Sequence, residues 1–102
     1  MSELQNKIVR LLQARHGTKA LADAKGRRRN FILQALAVYH SMGGSDDELE
    51  ALKSSTNLAA STISEATGKL VFELAALAHL ADFDIIQAAY NLIDADNVQQ
   101  HR

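Results

Sequence analysis

Cysteine is absent from this chain, which excludes disulfide bonds, thiolate nucleophiles and metal sites built from thiolates. Nothing in the composition therefore requires an oxidising compartment. The opening residues, MSELQN, have neither the basic region nor the apolar stretch of a secretion signal, and no segment supplies about eighteen uninterrupted apolar residues. We expect a cytoplasmic protein without a membrane partner.

Proline and tryptophan are also absent, and three Phe and two Tyr are the only aromatic residues. Alanine, leucine and glutamine favour helices, and the strongest helix breaker is missing. A chain of 102 residues is large enough for one small core, and pairing with a second copy would add buried surface. The predicted fold is all-α: a compact bundle of about four to six helices in one domain, residues 1–102, forming a homodimer.

Caps and glycines divide the first 43 residues into three predicted helices. Ser2 with Gln5 forms a capping box, and Gly17 is suited to end the helix that follows. The next two helices are also expected to begin at a polar cap and to end at glycine. The predicted ranges are 3–15, 18–25 and 30–42, and Gly43–Gly44 is the clearest break in the chain.

The remaining residues predict a short helix, a long helix and a last helix. Ser45 with Glu48 is a second capping box, and Asp82 or Asp84 can cap the last helix. The long helix covers 58–81, and from position 70 onward only Glu73 and His79 are polar. A helix that is apolar nearly all round is buried by neighbours or by a partner subunit. The predicted oligomer interface comprises Leu70, Leu74, Leu77 and Ala81.

Charge is distributed unevenly along the chain. Residues 1–43 hold eight Lys and Arg against two acids, whereas residues 44–102 hold three against ten. Such a division indicates either a polyanionic partner for the basic half or an oligomer in which the two halves face each other.

The densest basic segment surrounds the predicted turn after residue 25. Arginine matches the geometry of phosphate groups, and each phosphate contact releases counterions and so makes binding sensitive to salt. No base-reading residues can be assigned beside this segment. The predicted nucleic-acid-binding residues, called the basic cluster below, are Lys19, Lys25, Arg27, Arg28 and Arg29.

Acids and histidines do not follow the spacings of metal or hydrolytic sites. Acids at 46–50 resemble a solvated first turn, and Glu65 is followed four residues later by Lys69. The four histidines never occur four residues apart, and no nucleophile elbow or phosphate loop accompanies the serines. We expect no catalytic residues, no metal site and no cofactor.

Residues 21–39, LADAKGRRRNFILQALAVY, resemble the helix-turn-helix part of ribbon-helix-helix DNA-binding proteins. In that family a helix ending in glycine and a basic turn precede a second helix of this type. The turn is one residue shorter here, and residues 3–12, where the family has its DNA-reading strand, follow a helical period. The resemblance implies phosphate binding by the arginines.

A second resemblance covers residues 65–89, where EATGKLVF, ALA and FDI are similar to the C-terminal helices of MazG-type nucleotide pyrophosphohydrolases. That resemblance implies an all-α oligomer and Mg²⁺-dependent chemistry. However, Lys69 occupies the position of a metal-binding aspartate, and residues 32–40, where the family has paired glutamates, contain no acid.

The sequence thus predicts a small, non-enzymatic regulatory or adaptor protein, a homo-oligomer whose basic half binds nucleic acid. One alternative is a MazG-like hydrolase with a rearranged acid set, in which Glu65, Glu73 and Asp84 are the first candidates. Another is a protein-binding inhibitor or antiactivator that meets a partner of opposite charge.

Overall fold

The computed structural model describes residues 2–55 and 61–100, and these form five α-helices and no strand. The prediction of an all-α chain is therefore confirmed, whereas the homodimer stays a prediction. None of the helices in these two ranges is both long enough and apolar enough to cross a bilayer. The helices are α1 (Glu3–Leu21), α2 (Ala24–Ser41), α3 (Asp46–Ser55), α4 (Ile63–Ala81) and α5 (Ile85–Gln100).

Packing groups the chain into two units. The first unit comprises Met1–Leu11 with Ala59–Arg102, and the second comprises Leu12–Leu58. The Gly43–Gly44 break predicted from the sequence lies inside the second unit, between α2 and α3. The first unit therefore contains α4, α5 and the start of α1, and the second contains the basic cluster.

In the first unit, α1 starts as the capping box predicts. The Oγ of Ser2 accepts a hydrogen bond of 3.1 Å from the backbone N–H of Gln5. Lys7 lies 3.3 Å from Glu3, and its Nζ lies 5.0 Å from the centre of the Tyr90 ring on α5. The hydrogen bond to Glu3 is the main cause that raises the pKa of Lys7, and the Tyr90 hydroxyl adds to it. Lys7 thus pairs with Glu3 within α1 and links α1 to α5 through its cation–π contact with Tyr90.

The corner between α4 and α5 depends on two aspartates. Asp82 takes the left-handed conformation (φ 59°), and the next N–H, that of Phe83, donates 3.0 Å to the carbonyl of Ala78. The carboxylate of Asp84 then accepts a 2.8 Å hydrogen bond from the N–H of Gln87 and so caps α5. Of the two caps that the sequence offered, Asp84 begins α5 and Asp82 ends α4.

Helix α4 begins later than the predicted long helix. Thr62 Oγ1 accepts 3.1 Å from the N–H of Glu65, so Ile63 is the first helical residue, and residues 58–60 lie outside the described part of the chain. Among the described side chains, Ala78 and Ile93 are the buried hydrophobic ones. Few apolar side chains are therefore fully removed from water among the residues that the structure describes.

In the second unit, Gly17 interrupts α1 as the sequence indicates. Its backbone (φ 81°, ψ 161°) lies in a region that is essentially restricted to glycine. The helix resumes after it and ends at Leu21, so the predicted short helix over 18–25 is wrong in its extent.

Helix α2 begins six residues before the predicted cap at Asn30. Asp23 is the residue before its first turn, and the Asp23 side chain lies over Gly26, where an added Cβ would be 2.8 Å from the carboxylate Oδ2. Glycine was expected to end a helix here, but its missing side chain instead gives space to Asp23. The three arginines therefore lie inside α2, and not at a turn.

The end of α2 has the hydrogen bonds of a Schellman motif. Gly43 (φ 89°) donates 2.9 Å to the carbonyl of His40, and Gly44 donates 3.1 Å to the carbonyl of Tyr39. A Cβ added at Gly44 would overlap the Tyr39 ring. This close approach explains why a second glycine follows the first.

Tyr39 joins this corner to the start of α3. Its hydroxyl lies 2.7 Å from Glu48 Oε2 and 2.8 Å from the carbonyl oxygen of Ser45, and its proton is shared between these acceptors. Ser45 Oγ accepts 3.1 Å from the N–H of Glu48, so the second predicted capping bond is present. His40 Nε2 adds a 3.2 Å contact to Asp46 Oδ1. Two neighbouring residues of α2 thus hold the acidic first turn of α3.

Gly44→Ala tests whether the Tyr39 ring packs directly against Gly44. We expect it to lower the free energy of unfolding by about 1–3 kcal/mol, since the Tyr39 ring has to move. Gly68→Ala is the matched control, because nothing lies within 4 Å of a Cβ added there. That change should raise stability by about 0.5–1 kcal/mol through helix propensity. Urea denaturation followed by circular dichroism measures both, and equal effects would contradict the contact.

Titration at high pH tests the Tyr39 contacts. Partial burial and the hydrogen bond to the Glu48 carboxylate raise the pKa of Tyr39 from its ordinary 10 to about 12. Because the folded pKa is raised, this contribution to stability is complete below pH 10 and is lost as the pH rises towards 12. Tyrosinate absorbance should show this late titration, and Tyr39→Phe should abolish it. A single titration near pH 10 in the folded wild-type chain would refute the contacts.

Candidate nucleic-acid interface

The basic cluster lies where α1 ends and α2 begins, within the second unit. Lys19 is in the last turn of α1, and the other four cations lie within residues 25–29, in the first two turns of α2. The structure therefore brings all five predicted residues to one stretch of chain, with a two-residue connection between the helices.

The four cations of α2 do not share one face. Lys25, Arg28 and Arg29 have the i, i+3, i+4 spacing of neighbours on a helix surface, and all three are exposed. Arg27 lies on another side and is half-buried, and its Nε is buried without a hydrogen-bond partner in the described part of the chain. We call Lys25, Arg28 and Arg29 the basic face. The sequence did not separate Arg27 from the others, although the helical period would have done so had the helix start been known.

Charges on the basic face are not compensated by acids. Within residues 2–55 and 61–96, the structure shows ion pairs at other places, such as Lys53 with Glu50 at 3.4 Å, but none on the basic face. The first turn of α2 holds no acidic residue. The nearest acid in sequence, Asp23, makes no side-chain hydrogen bond to the uncapped N–H groups of the helix.

The helix dipole adds to this positive charge. The first N–H groups of a helix carry a partial positive charge equivalent to about half a unit, so cations there are locally unfavourable and anions are favoured. Lys25 in the first turn is most affected, and its i+4 neighbour Arg29 repels it further. The arrangement opposes folding slightly and is suited to bind an anion.

The four residues predicted for the oligomer interface are divided between covered and open positions. Leu70 and Leu77 are half-buried within the chain, whereas Leu74 and Ala81 are exposed. Other apolar side chains of α4 are more open, among them Phe72 at 79% and Leu80 at 77% exposure. The sequence reasoning missed these two, because a helix that is apolar all round does not show which face its own chain covers.

The three acids named in the hydrolase alternative, Glu65, Glu73 and Asp84, are all exposed. Asp84 also caps α5. In the described ranges, no group of three or more His, Asp or Glu side chains is placed to hold a metal ion.

In comparisons with known proteins, no family model, curated protein or solved structure matches this chain. The class defined by the fold is that of a small all-helical protein, and a function has to be inferred from its own side chains.

Lys25→Glu tests whether the basic face opposes folding. We expect a gain of about 0.5–1 kcal/mol in the free energy of unfolding, because a carboxylate suits the start of α2 and pairs with Arg29. Lys53→Glu is the control with the same change of charge. Lys53 lies in the last turn of α3 beside Glu50, where the substitution should lower stability. Denaturant midpoints compare them, and a loss of stability with Lys25→Glu would contradict the electrostatic account.

Proposed function

We propose that this chain is a small, non-enzymatic regulatory or adaptor protein of the cytoplasm that binds nucleic acid through its basic face and acts as a homo-oligomer. The observation that carries this proposal is the exposed, uncompensated set of Lys25, Arg28 and Arg29 at the positive end of α2. A surface that costs stability and lacks internal partners is typical of a functional site.

The geometry of the basic face supports phosphates as the ligand. From Lys25 to Arg29 the helix rises about 6 Å, and one strand of a duplex carries a charge every 3.4 Å or so along its axis. Arginine can donate two parallel hydrogen bonds to one phosphate, which lysine cannot do. Lys19, exposed in the last turn of α1, adds a further cation close by in the chain.

Binding is expected to depend weakly on sequence. Cations at the start of a helix contact the backbone of nucleic acid, whereas specificity requires side chains that reach base edges. Residues 3–12, which a DNA-reading ribbon would need as a strand, form part of α1. We therefore propose phosphate recognition without a defined base sequence.

A salt titration tests the proposal. Three phosphate contacts predict that the logarithm of the association constant for a duplex falls with the logarithm of salt concentration with a slope of about −2.7. Fluorescence anisotropy with a labelled duplex measures this slope, and Arg28→Ala with Arg29→Ala should reduce its magnitude by about 2.

Lys53→Ala is the matched control, since Lys53 is an exposed cation of the same unit that is paired with Glu50. It should leave the slope unchanged. No binding at low salt, or an equal loss with Lys53→Ala, would disprove the nucleic-acid part of the proposal.

A protein-binding module is the second candidate, and the exposed hydrophobic residues of α2 favour it. Phe31, Ile32 and Leu33 are each about half exposed directly after the basic cluster. Such anchors on a helix are typical of protein recognition. A pull-down that resists nuclease treatment, from a chain that binds no duplex, would favour this candidate over the first.

A further inference from the structure

Helix α2 carries an apolar face that its own chain leaves open. Phe31, Ala35, Val38 and Met42 have the i, i+4, i+7, i+11 spacing of a single helical face, here called the outer stripe. All four are exposed, with Phe31 at 51%, Val38 at 39% and Met42 at 56%. The outer stripe is therefore apolar surface that the described part of one copy leaves exposed.

The two ends of the outer stripe carry opposite charges. At its start are Lys25 and Arg27–Arg29 in the first two turns of α2. At its end is the acidic first turn of α3, Asp46–Glu48. The hydrogen bond from Tyr39 to Glu48 and the contact of His40 with Asp46 hold that acidic turn beside the end of α2.

We propose that the outer stripe binds the outer stripe of a second copy of this chain with the two α2 helices antiparallel. This inference rests on the homo-oligomer in the proposed function and names its contact surface. An antiparallel pair brings the basic start of each helix to the acidic end of the other, whereas a parallel pair would bring like charges together. The charge distribution therefore favours a second copy of this chain as the partner and an antiparallel arrangement of the two α2 helices.

The register follows from the sizes of the side chains. If the two-fold axis passes midway along the outer stripe, Phe31 lies opposite Met42 of the partner subunit, and Ala35 lies opposite Val38 of the partner subunit. Large side chains then meet at both ends, and a small residue meets a medium one near the axis, which permits close packing. The same register brings Arg27, four residues before Phe31 on α2, alongside the acidic turn of the second copy, while the basic face lies to one side of the outer stripe.

Charged groups at both ends that lack an ion pair support the pairing. Arg27, which is half-buried, and Asp47 make no ion pair among the described residues. The two acids on either side of Asp47 already have partners, since Asp46 contacts His40 and Glu48 accepts a hydrogen bond from Tyr39. Asp47 is thus the carboxylate of this turn that is available to a cation of a second copy.

The available apolar area predicts a weak dimer. A fully buried aromatic side chain contributes about 150–250 Å², and Phe31, Val38 and Met42 are only about half exposed, so the outer stripe offers a small apolar area. Each partner in a standard complex buries roughly 800 Å². The charged ends must therefore contribute, and association should be dependent on both concentration and salt.

Helix α4 offers an apolar face as well, around Phe72 and Leu80. Glu65 and Lys69 balance each other near the start of α4, and Asp82 follows its end, so α4 has no net positive end to face a negative one. Nothing about α4 selects a second copy over another apolar partner, and the pairing is assigned to α2 for that reason.

Sedimentation velocity of the full chain at rising concentrations tests the surface. Val38→Lys should weaken dimerisation by at least about tenfold, because it places a charge within the apolar contact. Leu80→Lys on α4 is the matched control and should leave dimerisation unchanged. A monomeric wild-type chain, or loss of the dimer with Leu80→Lys alone, would overturn the assignment. Circular dichroism verifies that both variants keep their helices.

A charge exchange tests the direction of the pair. Arg27→Glu and Asp47→Lys should each weaken the dimer, and the double variant should recover most of the loss. Strictly additive losses would refute the contact between the two ends. Duplex binding by Lys25, Arg28 and Arg29 is measured separately. A monomer that still binds duplex would disprove this inference alone, and a dimer that binds no duplex would disprove the nucleic-acid proposal alone.

Discussion

The contact between the Tyr39 ring and Gly44 is the constraint on which the second unit depends. The chain leaves α2 at Gly43–Gly44, and the Tyr39 hydroxyl reaches the Ser45 carbonyl and the Glu48 carboxylate at the start of α3. Glu48 thus takes part in the cap of α3 through its N–H and in the contact with Tyr39 through its carboxylate. Tyr39 thus holds the acidic first turn of α3 beside the end of α2, the helix whose first two turns carry four cations.

Local electrostatics and folding conflict at the other end of α2. A sequence selected for helix stability alone would place acids, and not Lys25 and its arginine neighbours, after Asp23. The conflict is small, a few tenths to one kcal/mol or so per charge, and it is relieved by any anion that binds there. The cations at the start of α2 thus cost some folding stability and favour a bound phosphate, in keeping with the net positive charge of residues 1–43.

Burial is sparse in a single copy. Among the described side chains, Ala78 and Ile93 are buried in the first unit, while Phe31 on α2 and Met42 at its C-cap stay exposed. Helices depend on tertiary packing for most of their stability in water. A second copy on the outer stripe would supply part of the missing contact area, and the same helix would then present its basic face to nucleic acid.

The sequence by itself determined the helical class, the capping bonds at Ser2 and Ser45, and the break at Gly43–Gly44, because these follow from interactions within a few residues of chain. The start of α2 is also a local matter, since the Asp23 carboxylate that lies over Gly26 is only three residues away, but a glycine there is equally compatible with the end of a helix. Tertiary structure decided which side chains of each helix are covered. It also separated Arg27 from Arg28 and Arg29, and left the outer stripe uncovered. Periodicity shows which residues share a face, but whether that face is buried depends on contacts between residues far apart in the chain.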